Sequence, residues 1–140
     1  MVAPLASFSI DLRYIDPADR ARTLAAIEAI ISRAYLAGAT ARLSTSGEFM
    51  PLVASAASKH LFHHYADCAR ALGREVTGEF AGGCADSGFT ASIGIPTLCG
   101  VGPVGGRAHS PDEYMEIDTV VPRAQTLALA ILRIDRLSTG

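Results

Sequence analysis

Ala6, Phe8, Ile10, Leu12 and Tyr14 fall on one side of an extended chain, and Leu5, Ser7, Ser9, Asp11 and Arg13 on the other. A period of two with one apolar face predicts a half-buried strand over residues 5–14. Asp16-Pro17 follows as a helix cap and first helical residue. The period then lengthens: Leu24, Ile27, Ile30/Ile31 and Tyr35 recur at three- and four-residue steps until Gly38, which predicts a helix. Residues 39–46 alternate again, with Ala41, Leu43 and Thr45 opposite Arg42 and Ser44, and read as a second strand. Gly47 and Pro51 break any regular element, so residues 47–53 are expected to form a turn or hinge.

The second half opens with a helix capped by Ser55 or Ser58, carries its apolar face on Leu61/Phe62, Tyr65, Cys68/Ala69 and Leu72, and stops at Gly73. A short strand over 75–81, a short helix over 87–93, a short buried strand over 95–99 and a loop over 100–116 come next. Asp118 is expected to cap the last helix, with Pro122 in its first turns and Val121, Leu127/Ala128, Ile131/Leu132 and Ile134/Asp135 on its buried side. The chain therefore reads as α/β: a β-α-β lobe over residues 1–52 and an α-β-α-β-α lobe over 53–140. It contains no internal repeat and no low-complexity tract.

Composition narrows the class. Of 140 residues, 49% are apolar and 19% charged, which suits a globular protein with a sizeable core. The net charge of −2, the lack of any Lys/Arg run and the absence of Trp argue against a nucleic-acid partner. No apolar run approaches the roughly 20 residues of a membrane span, and the opening residues lack the basic start of a signal peptide. Three cysteines without a Cys-x-x-Cys pair are expected to be free thiols in a reducing compartment, the cytoplasm.

Candidate chemistry gathers in residues 82–118, where glycines crowd around His109 and the carboxylates Asp112, Glu113 and Glu116. Glycine at that density lets a backbone approach a ligand closely, and we read the stretch as one wall of an active site. Its string GVGPVG satisfies G-x-G-x-x-G, but Pro111 prevents the helix that a dinucleotide fingerprint must open. His60 and His64 stand one helical turn apart, a spacing that suits a metal; with no Glu between them in the H-E-x-x-H manner, a solvated helix face is the reading preferred. Cys84 or Cys99 with His109 would make a nucleophile and base, yet no spacing rule brings them together, and both cysteines are expected to be small buried hydrophobes.

The segment GIPTLCGVGPVGGRAHSPDEYMEIDTVVPRAQTLALAIL resembles the C-terminal end of the zinc-dependent amidohydrolases and carboxypeptidases. That family includes glutamate carboxypeptidases, acetylornithine deacetylase, succinyl-diaminopimelate desuccinylase, aminoacylases and peptidase T. The upstream GGCADSGFTASIGIP is similar to its Gly-Gly-x-Ser-Asp-Gly segment, and FSIDLRY with the following helix resembles the second half of its lid, or dimerisation, domain. The resemblance implies a partial lid over residues 1–52 and the end of a zinc-exopeptidase catalytic domain over 53–140. It implies that His109 is a ligand to one of two zinc ions. Gly102, Gly105 and Gly106 would line the substrate cleft, and Asp86 would match the Asp of the Ser-Asp-Gly step. The sequence departs from the pattern in three places: the order Ala85-Asp86-Ser87, Cys99 where an Asp is common, and Met50 near the place of a carboxylate-gripping arginine.

The remaining ligands and the general-base glutamate of that family lie in an N-terminal portion that these 140 residues do not match. The resemblance thus implies the C-terminal part of an amide hydrolase acting on small peptides or N-acyl amino acids. Alone it is expected to be inactive and not to retain zinc. Its expected partner is a complementing N-terminal polypeptide or a second copy, since unpaired strand edges favour self-association. The competing readings are a stand-alone dimerisation or interaction module without catalysis, and an independent cysteine–histidine enzyme.

Overall fold

Asp16 caps the first helix, as its place before Pro17 demands: its carboxylate accepts the Ala18 amide at 2.9 Å, and α1 runs Pro17–Ile31. In this computed structural model, which describes residues 3–139, the helix ends well before Gly38, which takes the positive φ of 80° in a later turn. The two expected lobes extend beyond the described residues at their outermost ends. Leu24, Ile27 and Ile31 are half-buried, but no residue of α1 is fully buried.

Ser55, rather than Ser58, caps α2 (Ala56–Ala71), accepting the Ser58 amide at 3.0 Å. That leaves the buried Ser58 hydroxyl to accept the Thr97 amide at 3.1 Å, so the start of α2 holds the segment around Thr97. Of the expected apolar face, Tyr65, Cys68 and Ala69 are buried and Leu61 and Phe62 half-buried, while Leu72 is exposed. After α3 (Ser87–Ser92) come the short strands β1 (Gly105–Gly106) and β2 (Tyr114–Met115). A 3-10 turn at Ile117–Thr119 then leads into α4 (Val120–Leu132), and a second one, Ile134–Thr139, ends the described chain.

α2 and α4 pack on each other around Tyr65, Cys68 and Ala130, with Val76, Leu98, Val101 and Leu129 against this small core. Two polar ties reinforce the pair. The His64 Nε2–H donates to the Ala130 carbonyl at 2.8 Å; a carbonyl can only accept, which fixes the proton on Nε2. Arg74 donates to the Pro122 carbonyl at 3.0 Å and to Gln125 Oε1 at 2.8 Å.

The mixed α/β class holds, but its strands are placed differently. Residues 5–14, 39–46, 75–81 and 95–99 form no strand, and among the described residues β1 and β2 form the sheet, antiparallel, with Gly105 opposite Met115 and Gly106 opposite Tyr114. Alternation marks which side of a segment is apolar; it does not supply a neighbour to bond. The last helix also turns a different face inward: Thr126 and Ala130 are buried, while Val121, Leu127, Ala128, Ile131, Leu132 and Ile134 are exposed. Small side chains at the crossing let α4 lie close to α2. Cys84 and Cys99, expected inside, are exposed; all three cysteines are free.

The N-terminal segments are held by a polar clamp. Arg20 pairs with Glu48 through both guanidinium and carboxylate edges, its Nη2 at 2.6 Å from Oε2, and the Tyr14 hydroxyl donates to Glu48 at 2.9 Å. The expected hinge is therefore pinned. Phe49 meets Phe89 at 5.7 Å between ring centroids, and the Met50 carbonyl lies so close to Gly88 that a β-carbon there would sit 1.8 Å from its oxygen. Even so, the chain exposes 11240 Å², whereas a compact monomer of 14.6 kDa presents about 6900 Å².

Candidate functional site

His109 lies at the tip of the β1–β2 hairpin, in the segment 107–113 that joins the two strands. Gly105 and Gly106 are glycines because of their neighbour across the ladder. A β-carbon at Gly105 would stand 2.6 Å from the Tyr114 carbonyl oxygen, and one at Gly106 would stand 2.9 Å from the Tyr114 ring. Gly102 differs: a β-carbon there meets nothing within 4 Å.

The tip is braced from within. Ser110 donates to the Arg107 carbonyl at 2.7 Å and accepts the Asp112 amide at 3.2 Å, and the Glu113 amide donates to the Ser110 carbonyl at 3.1 Å. This tight path puts Arg107 and His109 in the left-handed region, at φ 56° and 64°, which is uncommon for residues other than glycine and a mark of constraint. The His109 amide points to the Glu113 carboxylate at 3.4 Å, and the side chain is exposed. Arg107 and Asp112 approach at 3.9 Å as an exposed, weak pair.

At its base the hairpin is fastened to α4 by one hydroxyl. Thr119 Oγ1 accepts the Val104 amide at 2.9 Å and donates to the Glu116 carbonyl at 2.6 Å, while the Glu116 amide donates to the Val104 carbonyl at 2.8 Å. Sequence reasoning passed over Thr119 and Tyr114; the residue before a helical run hints at a cap, but nothing local says that its hydroxyl reaches back across a hairpin.

The structure brings His109, Gly105 and Gly106 into one element together with Glu113 and Tyr114. Asp86 lies elsewhere, in the N-cap position of α3 without a side-chain cap bond, and among the described residues no hydrogen bond or ion pair joins it to the hairpin. His60, His63 and His64 line a cavity of about 270 Å³ with Asp67, Cys68 and Arg133, yet among the described residues no three His, Cys, Asp or Glu side chains group as metal ligands. No described helix is long and apolar enough to cross a membrane.

The family model described as peptidase family M20/M25/M40 matches residues 12–133. The chain belongs to this family. Searches of curated proteins and of solved structures each returned no match. The matched residues of this M20/M25/M40 member include the α2–α4 core, Asp86 and the whole His109 hairpin. The function class is that of metallopeptidases and amidohydrolases, whose enzymes are generally metal-dependent. A catalytic zinc takes three protein ligands, and among the described residues of the hairpin there is one imidazole, that of His109.

Proposed function

We propose that this chain forms one wall of a zinc-dependent amidohydrolase centre of the glutamate-carboxypeptidase kind, whose other ligands and general base come from residues outside these 140. The observation that carries the reading is His109: a histidine in the left-handed region, on a glycine-lined hairpin, within the span that matches a peptidase family. The chain's own contribution is positional. The braced tip holds the imidazole outward, Gly102, where a β-carbon would meet nothing within 4 Å, leaves the loop open to a small peptide or N-acyl amino acid, and Thr119 fixes the hairpin to the helical pair. Asp86 is assigned to the substrate side through its place in the Ala85-Asp86-Ser87 step. Three free thiols fit action in the cytoplasm.

The complementing partner is a polypeptide carrying the N-terminal portion of an M20-type peptidase. Metal content by mass spectrometry and hydrolysis of N-acyl amino acids test this, on the chain alone and mixed with such a polypeptide. The mixture is expected to gain metal and activity, both lost in His109→Ala, while the chain alone shows neither. Stoichiometric zinc and amide hydrolysis by the chain alone would overturn the reading. The large exposed surface supports a second reading, an interaction module without catalysis, which predicts no gain of activity in any mixture.

A further inference from the structure

The cavity of about 270 Å³ beside α2 shares no lining residue with the His109 hairpin. His60 and His63 line it from α2 and are exposed, so it opens to solvent, while the half-buried Arg133 reaches it from the C-terminal end of α4. The cavity offers donors without a matching acceptor. Asp67 is the carboxylate among its described lining residues, and it already accepts from the Arg70 guanidinium at 2.6 Å. His64 spends its Nε2 proton on the Ala130 carbonyl. Among the described residues, no hydrogen bond or ion pair engages the side chains of His60, His63 or Arg133, which all face this one space.

Arg133 is the informative member. A guanidinium at a helix C-terminus ordinarily serves the last, unsatisfied carbonyls. Here those carbonyls have other donors: the Arg133 amide bonds to Leu129 and Ile131, and His64 takes Ala130. The guanidinium is left spare, partly out of water and with no carboxylate of its own. A fixed positive charge with a fork of N–H donors, beside two imidazoles that each carry a donor, is the composition of an oxyanion site. A phosphoryl group presents three terminal oxygens, one for each of these side chains, and carries a charge of about −1.5 to −2; a carboxylate presents two oxygens and a single charge. The volume lies just below that of drug-sized sites and suits a phosphoryl group on a small organic body.

We propose that the cavity between α2 and the end of α4 binds a small phosphoryl-bearing anion through Arg133, His60 and His63. The site needs no metal and stands whether or not the hydrolase reading does. Calorimetric titration of the full chain with inorganic phosphate and with glycerol 3-phosphate, at constant ionic strength, tests it. Bound metal would itself attract phosphate, so the chain is first treated with EDTA and dialysed. Saturable binding of glycerol 3-phosphate with a Kd of about 1 mM or tighter is expected, and acetate should bind about tenfold more weakly or not at all. Arg133→Gln should weaken binding about tenfold or more, and His60→Ala, at an exposed position, about fivefold. Arg22→Gln removes the same charge from α1, where Arg22 pairs with Asp19, and should leave binding unchanged. Helicity by circular dichroism should match the parent in all three variants. No saturation up to about 10 mM phosphate or glycerol 3-phosphate would overturn the proposal. So would parental affinity in Arg133→Gln and His60→Ala, an equal loss in Arg22→Gln, or acetate binding as tightly as the phosphates.

Discussion

Gly88→Ala should destabilise the protein, although alanine is the better helix former. In α3, exchanging glycine for alanine gains up to about 1 kcal/mol of helix propensity. Against that stands the Met50 backbone, with its carbonyl oxygen 1.8 Å and its carbonyl carbon 2.7 Å from the position of the new β-carbon. Ordinary contact needs about 3.5 Å, so one backbone must retreat by roughly half that distance. Met50 has little freedom to do so, because Glu48 is clamped by Arg20 and Tyr14 and Phe49 leans on Phe89. Overpacking of this kind costs about 1–3 kcal/mol, leaving a net loss of about 1–2 kcal/mol. Urea titration should show a lower midpoint, and Tm should fall by about 3–6 °C. Faster proteolysis within residues 47–53 should accompany it. Gly82→Ala, where nothing lies within 4 Å, serves as the neutral control. A Gly88→Ala protein as stable as the parent would refute the argument that this glycine pins the two segments together.

Ser58→Ala should cost about 1–3 kcal/mol, because the Thr97 amide loses its acceptor at a buried position; a loss under 0.5 kcal/mol (on the order of surface substitutions) would mean that water replaces the hydroxyl. Thr119→Val removes the link between hairpin and helix and should cost about 1 kcal/mol, with faster hydrogen exchange at the Val104 amide; unchanged exchange there would count against the link. The Arg20 guanidinium, and after it the Tyr14 hydroxyl, hold the Glu48 carboxyl below the usual carboxylate range. A lowered folded-state pKa gives stability that is present above the unfolded value, about 4.3, and is lost as pH falls through the depressed one. NMR titration of Glu48 should follow that loss, and Glu48→Gln should remove its contribution to the acid limb; an identical acid profile in the variant would show that the clamp is energetically idle.

How far the fold is legible in the chain depends on how local its cause is. The α2 face of Tyr65, Cys68 and Ala69 followed from spacing because a helix bonds within itself. The alternation at residues 5–14 identified an apolar side, but a ladder needs a second segment, and none is bonded there. The ladder that does form, Gly105–Gly106 with Tyr114–Met115, carries no alternation, so it read as loop. Thr126 and Ala130 were not picked out as the buried positions of α4, since the larger apolar residues Val121, Leu127, Ile131 and Leu132 drew the expected buried side away from them. At the site, the composition around His109 marked the hairpin; its left-handed backbone, the ring of Tyr114 against Gly106 and the hydroxyl of Thr119 all come from the chain doubling back, which no window of sequence contains. Asp86 entered only by resemblance, and the structure leaves it apart from the hairpin.

One hydroxyl, that of Thr119, joins the root of the β-turn bearing the imidazole to the first turn of the terminal helix. The bearing of His109 is therefore set relative to that helix as well as to the strands that carry it.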